Sequence, residues 1–213
     1  GGARVPPTGR GHVTSRSPDP WAEWAEYNAS RAVRDLRPLS ARLLELAGPG
    51  EGRTAVDIGC GAGVEVAAML AAGWRVHAID GDSTVTAHLA PLVERHPGAL
   101  EFRNVEFGSV RELPPAGLVH SSYALPYAEP DVFARLWAAI RGALLPGGWF
   151  GAHLFGVNDA GRAEGEVATY LTRAEALGLL DGWEVVQFEE EDAVGPSFVG
   201  PRHWHVFHVN ARS

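Results

Sequence analysis

Short runs of apolar residues alternate along the chain with longer segments in which apolar residues recur every three or four positions. The short runs predict strands, and the longer amphipathic segments predict helices. Strands are predicted at 54–58, 75–80, 99–105, 117–125 and 148–156, with helices between them at 63–73, 83–96 and 130–145. A regular succession of strand and helix is typical of a doubly wound, mostly parallel sheet with helices on both faces.

The last part of the chain shows a different pattern. A helix is predicted at 172–180, and two strands follow it at 183–191 and 202–211 with only a loop between them. Two strands joined in this way are expected to pair antiparallel. The pattern therefore predicts an α/β protein whose sheet ends in an antiparallel pair.

The beginning of the chain carries no strand pattern. Residues 1–18 are polar and rich in Gly, Pro and Arg, which predicts a disordered arm. Asp19, followed by proline, is a typical helix start, and Trp24 and Tyr27 share one face of the predicted helix. The predicted organisation is an arm at 1–18 and a single domain at 19–213, with an N-terminal helical cap at about 19–47.

Charge and cysteine content narrow the classes of partner. The chain has 213 residues and a formal net charge of -8, from 26 acidic and 18 basic side chains, which argues against a nucleic-acid partner. The single cysteine, Cys60, excludes a disulfide within one chain. No apolar run approaches the ~20 residues of a membrane span, and no secretory signal is visible. We therefore expect a cytoplasmic protein without a membrane partner, and the composition leaves its oligomeric state open.

A glycine-rich turn is the clearest candidate for a ligand site. Asp57–Gly63 reads Asp-Ile-Gly-Cys-Gly-Ala-Gly and joins the first predicted strand to the first predicted helix, where open α/β sheets bind ligands. Asp80 ends the second strand, where an acid can accept hydrogen bonds from ribose hydroxyls. This much suits NAD as well as S-adenosylmethionine. The acid that leads the turn disfavours phosphate and favours a cationic amino group or sulfonium.

The segment Asp57–Gly63 resembles the first motif of class I S-adenosylmethionine-dependent methyltransferases. "LLPGGW" at 144–149, before the fifth strand, resembles a second hallmark of that family. The segments at 121–127, 154–156 and 203–209 are similar to small bacterial members described as tellurite-resistance-like or thiopurine-methyltransferase-like. The resemblance covers about residues 20–211 and implies a Rossmann-like sheet of seven strands, the last antiparallel.

The resemblance implies S-adenosylmethionine as cofactor, with S-adenosylhomocysteine as its product. The turn would lie against the cofactor, with Asp57 near the methionine end, Asp80 at the ribose and Gly81 beside the adenosine. The implied cofactor-binding residues are Asp57, Gly59, Cys60, Gly61, Ala62, Asp80, Gly81, Ser109, Val110 and Ser121.

The adenine contact departs from the family pattern, in which the loop after the third strand supplies an acid. Ser109 stands at that place in this chain. Either Ser109 and the Val110 amide bind the adenine, or Glu106 or Glu112 reaches it. The end of the fourth strand likewise lacks the acid that is often found there.

The expected reaction is methyl transfer to a small-molecule acceptor by in-line displacement, driven mainly by proximity and orientation. A general base is needed only if the acceptor keeps its proton, so no catalytic residue is assigned, and Tyr123 and His153 are candidates. The candidate substrate-facing residues are Trp24, Tyr27, Tyr123, Tyr127, His153 and Phe155. No metal site is expected, since His203 and His205 share a strand face without a third ligand.

Three alternatives remain open at this point. The acceptor could be a peptide rather than a small molecule. The chain could be a non-catalytic module that binds the cofactor, or an NAD-dependent oxidoreductase. The atom that receives the methyl group, whether sulfur, nitrogen, oxygen or a metalloid, is not predicted.

Overall fold

A computed structural model describes residues 22–197 and 200–213 of the chain. The arm predicted at 1–18 and the helix start predicted at Asp19 lie outside these residues. Seven α-helices lie in the described part: α1 (Ala22–Arg31), α2 (Pro38–Ala47), α3 (Val64–Ala71), α4 (Val85–Arg95), α5 (Pro130–Ala143), α6 (Ala160–Ala163) and α7 (Arg173–Leu179). The strands there are β1 (Thr54–Ile58), β2 (Arg75–Asp80), β3 (Leu100–Asn104), β4 (Ala116–Ser121), β5 (Leu144–Gly156), β6 (Tyr170–Leu171), β7 (Glu184–Ser197) and β8 (Gly200–Arg212).

These strands form one sheet in the order β3-β2-β1-β4-β5-β8-β7, and β6 pairs with the end of β5. All pairs are parallel except those of β8, which runs antiparallel to both β5 and β7. The predicted doubly wound, mostly parallel sheet is confirmed. Its eighth strand, the two-residue β6, was not predicted because two residues are too few to show an alternating pattern.

Local signals in the sequence set several helix boundaries. Pro38 and Pro130 each stand at the first turn of a helix, α2 and α5, where a missing backbone N–H leaves no hydrogen bond unmade. Helix α7 begins with a capping box: Glu175 N donates to Thr172 Oγ1, and the Glu175 carboxylate accepts from Thr172 N at 2.7 Å. Pairing backbone donors that the helix itself cannot satisfy stabilises its first turn.

Two hydrophobic clusters cover the two faces of the sheet. Because side chains alternate along a strand, neighbours on β1 enter different clusters. Val56 packs in the cluster that contains Trp137 of α5, and Ala55 packs in the one that contains Leu43 of α2 and Met69 of α3. Helices therefore occupy both faces, as predicted. The order of the strands reverses between β1 and β4. Sheets of this kind bind ligands at the carboxyl ends of the strands at such a point.

No helix within the two described ranges is long and apolar enough to span a membrane.

Candidate active site

A cavity of about 410 Å³ lies at the carboxyl ends of β1, β2 and β4. This volume is within the range of small-molecule sites, about 300–1,000 Å³. The glycine turn after β1 forms its floor, Asp80 and Gly81 come from the end of β2, and Glu106–Gly108 follow β3. Helix α1 and the segment after it contribute Trp24, Tyr27, Asn28, Arg31, Arg34 and Arg37, and the chain after β4 contributes Ser122, Tyr123, Ala124 and Tyr127.

Contacts within the protein already require glycine at two positions of the turn. Gly59 has a φ of 72°, and a Cβ there would lie 2.2 Å from Ala124 Cβ. Gly61 has a φ of 50°, and a Cβ there would lie 2.8 Å from Asn28 Oδ1 of helix α1. Both residues adopt a left-handed backbone that disfavours side chains. The bare turn thus lets two neighbouring segments approach while its backbone lines the cavity.

Asp80 lies at the cavity wall with its carboxylate held by two backbone amides. Gly61 N donates to Asp80 Oδ2, and Asp82 N donates to Asp80 Oδ1, each at 2.9 Å. Burial raises the pKa of the Asp80 carboxyl above its ordinary value, and these two hydrogen bonds oppose that rise. Each oxygen keeps a second lone pair, so the carboxylate can still accept hydrogen bonds from hydroxyl groups in the cavity.

Asp57 and His120 form a buried pair at the end of β1 and β4. His120 Nδ1 lies 2.7 Å from Asp57 Oδ1, and His120 Nε2 lies 2.9 Å from Ser40 Oγ. Burial opposes the charged imidazole, but the Asp57 carboxylate raises the pKa of His120 above its ordinary value. Asp57 Oδ2 is buried without a hydrogen-bond partner among the described residues. A cationic group in the cavity would satisfy this oxygen.

A second buried ion pair lies beside the turn, at the start of α3. Arg34 donates to both carboxylate oxygens of Glu65, at 2.6 and 2.8 Å. Burial opposes ionisation of Glu65, but His120 and Arg34 hold the pKa of its carboxyl below the ordinary value. The two ion pairs place four charged or chargeable groups side by side under the turn.

Helix α1 forms one wall of the cavity and is tied to the chain that follows β2. Asn28 Nδ2 donates to Asp82 Oδ2 at 2.9 Å. On the same helix, the ring of Trp24 lies edge-on to that of Tyr127, with 4.9 Å between centroids. We call the part of the cavity lined by Trp24, Tyr27, Tyr123 and Tyr127 its aromatic end.

Tyr123 stands at the aromatic end of the cavity in an unusual backbone conformation. Its φ is 51°, and a positive φ at a bulky residue is a strained conformation that clusters at functional sites. Its ring stacks on His153 with 4.0 Å between centroids. Burial raises the pKa of Tyr123 to about 12, so its hydroxyl remains protonated near neutral pH and acts as a hydrogen-bond donor.

His153 and Phe155 lie behind this wall. His153 is 2 % exposed, and its Nδ1 lies 3.3 Å from Oγ of the cavity residue Ser122. Burial holds the pKa of His153 well below its usual range, so its imidazole is neutral near pH 7. Phe155 is 1 % exposed and packs edge-on against Tyr127. Neither ring lines the cavity, in contrast to what the sequence led us to expect for substrate-facing residues.

The structure brings most of the other predicted site residues together. The predicted residues that line the cavity are Trp24, Tyr27, Asp57, Gly59, Cys60, Gly61, Ala62, Asp80, Gly81, Tyr123 and Tyr127. Their contact with a ligand stays a prediction. Cys60 is buried, and burial raises the pKa of its thiol well above the usual range, so it fits a space-filling role.

Three predicted cofactor residues do not reach the cavity. Ser121 Oγ donates to Ile58 O and accepts from Leu125 N, which fixes the turn after β4. Val110 packs in the hydrophobic cluster on the α5 face, and Ser109 ends a short 3₁₀ turn. Of the two acids considered for the adenine, Glu106 lines the cavity and Glu112 does not.

Several cavity residues were not identified from the sequence. Asn28 and Arg31 lie four residues after Trp24 and Tyr27 on the same helix, so that periodicity could have found them, whereas Arg34 lies beyond the end of α1. His120, Glu65 and Ser122 carry no comparable signal. Their role depends on side chains brought close by pairing of distant strands.

No group of three or more potential metal ligands occurs in the parts of the chain that the structure describes. The histidines of β8 are paired with acids of β7 instead. His203 Nε2 lies 2.6 Å from Asp192 Oδ1, and His205 Nε2 lies 3.0 Å from Glu190 Oε1.

Residues 55–148 match a family model described as a methyltransferase domain. The match includes the glycine turn, Asp80, β4 and "LLPGG" before the core of β5. It confirms the predicted resemblance to methyltransferases and the enzyme class inferred from it. No curated protein sequence matches the chain.

Solved structures of methyltransferases share this fold. The 1,6-didemethyltoxoflavin-N1-methyltransferase of Burkholderia thailandensis superposes with a TM-score of 0.62 at 22% identity, over 83% of this chain and 77% of that chain. TehB from Haemophilus influenzae gives a TM-score of 0.71 at 12% identity, over 89% and 67%. The N-methyltransferase NodS from Bradyrhizobium japonicum gives 0.63 at 16% identity, over 89% and 98%. At these identities the likeness establishes the class I methyltransferase fold.

Proposed function

We propose that this methyltransferase binds S-adenosylmethionine at the glycine turn and transfers its methyl group to a small-molecule acceptor held at the aromatic end of the same cavity. The observation that carries the proposal is the continuity of the two ends. One continuous cavity of about 410 Å³ joins Asp57 and Asp80 to Tyr123 and Tyr127, so that it can hold two ligands in contact.

The residues at the acidic end fit the cofactor. Asp80 can accept hydrogen bonds from the two ribose hydroxyls, and Gly81 leaves room beside the nucleoside. The unpartnered Asp57 Oδ2 suits the cationic methionine end. Glu106 lies on the cavity wall after β3 and is our preferred acceptor for the adenine amino group. The structures of NodS and the toxoflavin enzyme, which contain S-adenosylhomocysteine, support this choice of cofactor.

The aromatic end would bind and orient the acceptor. When bound, the cofactor would supply a methyl group attached to a sulfonium sulfur. The sulfur is an excellent leaving group, because it departs as a neutral thioether. Trp24, Tyr27 and Tyr127 enclose the space from which water must be excluded and restrict the directions in which an acceptor can lie. Holding the two reacting atoms about 3 Å apart and in line can supply much of the acceleration.

Proton removal is needed only for acceptors that are protonated at neutral pH. Tyr123 does not serve as a base, because its hydroxyl keeps its proton up to about pH 12. The neutral His153 can accept a proton only through Ser122, whose Oγ lies 3.3 Å away. The site therefore suits acceptors that need no strong base before transfer, such as thiols and acidic phenols, which ionise readily, and amines that are already neutral.

The volume of the cavity, about 410 Å³, favours a small molecule over a peptide. The acid that leads the turn disfavours NAD, because the carboxylate of Asp57 would lie near its pyrophosphate. The non-catalytic alternative is less well supported, since the same cavity extends from Asp57 and Asp80 to a group of aromatic side chains that can hold an acceptor.

The test is binding followed by transfer. Calorimetric titrations should show that S-adenosylmethionine and S-adenosylhomocysteine bind, whereas NAD does not. Methyl transfer from labelled S-adenosylmethionine should then be measured to a panel of small thiols, phenols and amines, with a peptide library as the comparison. Tight cofactor binding without transfer to any acceptor would favour the non-catalytic module, and transfer only to peptides would overturn the acceptor class.

A further inference from the structure

Three arginines, spaced three residues apart, line the cavity. Arg31 is the last residue of α1, and Arg34 and Arg37 lie in the segment that follows it. Arg34 is neutralised by Glu65 through two hydrogen bonds. Arg31 and Arg37 make no ion pair with a carboxylate among the described residues, and the Nε of each is buried without a hydrogen-bond partner. Two positive charges at the cavity wall are thus available to a ligand.

Arg37 is held in a defined orientation. Its Cζ lies 4.7 Å from the ring centroid of Tyr123, and its Nη2 donates to Tyr27 Oη at 3.3 Å. The opposite face of Tyr123 stacks on His153. A guanidinium beside an aromatic ring can still present N–H donors to a further partner, and two of them match the two oxygens of a carboxylate or phosphate.

Arg31 adds positive charge next to this position. Its Cζ lies 5.5 Å from the ring centroid of Tyr27, the same residue whose hydroxyl accepts from Arg37. The tyrosine therefore lies between two arginines. These contacts belong to the aromatic end of the cavity, where we place the acceptor.

The cofactor has other partners for its charges. Its cationic groups suit Asp57 and its ribose suits Asp80, as argued above. For its carboxylate, Arg31 also lines the cavity without an ion pair among the described residues, and Arg34 lines it beside Glu65 in the first turn of α3. Arg37 contacts the side chains of Tyr27 and Tyr123, which we assign to the acceptor, and binding of the cofactor carboxylate by Arg37 is the rival that the experiment below separates.

We propose that the acceptor is a small planar molecule that carries an oxyanion, a carboxylate or a phosphate, bound by the edge of the Arg37 guanidinium. Its ring packs among Trp24, Tyr27 and Tyr127. This proposal rests on the proposed methyl transfer, because it assigns the acceptor end of that site. It names the specificity-determining residue and the substrate class.

The test compares matched anionic and neutral probes on protein saturated with S-adenosylhomocysteine. The probes are 4-hydroxybenzoate, phenyl phosphate and the neutral 4-hydroxybenzamide, titrated by calorimetry. At least one anion should bind about tenfold or more tightly than the amide, as expected for a charge-assisted hydrogen-bonded pair. The Arg37→Gln variant should reduce that preference to less than about threefold. Arg135→Gln, which removes the same charge from an exposed position of α5, should retain it.

Binding of S-adenosylhomocysteine and of 5′-methylthioadenosine, which lacks the amino-acid part, separates this proposal from its main rival. Arg37→Gln should bind both as the wild type does. If it loses S-adenosylhomocysteine but keeps 5′-methylthioadenosine, Arg37 holds the cofactor carboxylate and the proposal is overturned. It is also overturned if neither anion binds at millimolar concentration, if the amide binds equally well, or if the preference survives in Arg37→Gln. The proposed function fails separately, by absence of cofactor binding to the wild type.

Discussion

Asp57 and His120 are register partners on adjacent parallel strands, and their side chains meet with 2.7 Å between Oδ1 and Nδ1. Both side chains are about 1% exposed. Because Asp57 leads the glycine turn, a buried ion pair lies directly behind the proposed cofactor site. The free energy of unfolding should therefore depend on the ionisation of this pair.

The pair predicts a pH-dependent contribution to stability. The pKa of His120 is raised in the folded protein, so its contribution is fully present below the unfolded value of about 6.5 and is lost as pH rises through the folded value. The His120→Gln variant lacks this contribution. Its deficit in free energy of unfolding, measured with urea, should be about 3–5 kcal/mol near pH 6 and should narrow as pH rises above 6.5.

An exposed pair provides the control for this experiment. His77 Nδ1 lies 3.2 Å from Glu101 Oε2 at the surface of the sheet. His77→Gln should change the free energy of unfolding by no more than about 1 kcal/mol. A deficit for His120→Gln that stays constant from pH 6 to pH 9 would contradict the proposed protonation of the buried pair.

Asp80 predicts the strength of cofactor binding. Asp80→Ala removes charge-assisted hydrogen bonds worth roughly 1.5–3 kcal/mol, so the affinity for S-adenosylhomocysteine should fall about ten- to a hundredfold. Asp80→Asn keeps one acceptor oxygen, so its affinity for S-adenosylhomocysteine should fall less. Calorimetric titration measures both, and Asp181→Ala provides a surface control. An unchanged affinity in folded Asp80→Ala would show that the ribose binds elsewhere.

The sheet and the acidic end of the site could be predicted from the sequence because their signals are local. The strand Thr54–Ile58 has the predicted bounds, since its apolar run ends at the glycine turn. Asp80 could be assigned because it ends the next apolar run. In both cases a short segment contains the whole pattern.

The rest of the site depends on contacts between distant segments. Nothing near His120 indicates that Asp57, 63 positions away, lies beside it. Arg37 precedes Pro38 in a segment between two helices, where an arginine usually faces solvent. Ser121 was assigned to the cofactor because it ends β4, but its hydroxyl is used by Ile58 and Leu125. Only the folded chain shows which polar groups remain free.

Asn28 predicts how firmly α1 is held over the cavity. Asn28→Ala removes the 2.9 Å hydrogen bond to Asp82, so the amides of residues 22–31 should exchange hydrogen faster while those of the sheet do not change. Mass spectrometry of the exchanged peptides measures this. Asn158→Ala, which removes a surface hydrogen bond to Asp192, should leave α1 unchanged. Equal exchange in both variants would show that other contacts hold the helix.

Gly61 and Asn28 predict an energetic coupling between the turn and α1. A Cβ at Gly61 would meet the flexible end of the Asn28 side chain at 2.8 Å. Gly61→Ala should therefore cost about 1–2 kcal/mol for the left-handed backbone and a further amount for this contact. In an Asn28→Ala background the further amount should disappear. Urea denaturation of the four proteins gives the coupling, and strictly additive effects would place Asn28 away from the turn.

The ring and the hydroxyl of Tyr123 should contribute differently to kcat/KM. The ring contacts Arg37 and His153, whereas the hydroxyl, with a pKa of about 12, keeps its proton at neutral pH and is available for hydrogen bonding but not as a base. With an acceptor identified from the panel, Tyr123→Phe should lower kcat/KM by less than about tenfold, without altering its pH profile below pH 9. Tyr123→Ala should lower it about a hundredfold, because Arg37 and the acceptor lose their position. Tyr170→Phe, in β6 and outside the cavity, is the control, and a folded Tyr123→Phe without activity would assign the hydroxyl a part in proton transfer that its pKa argues against.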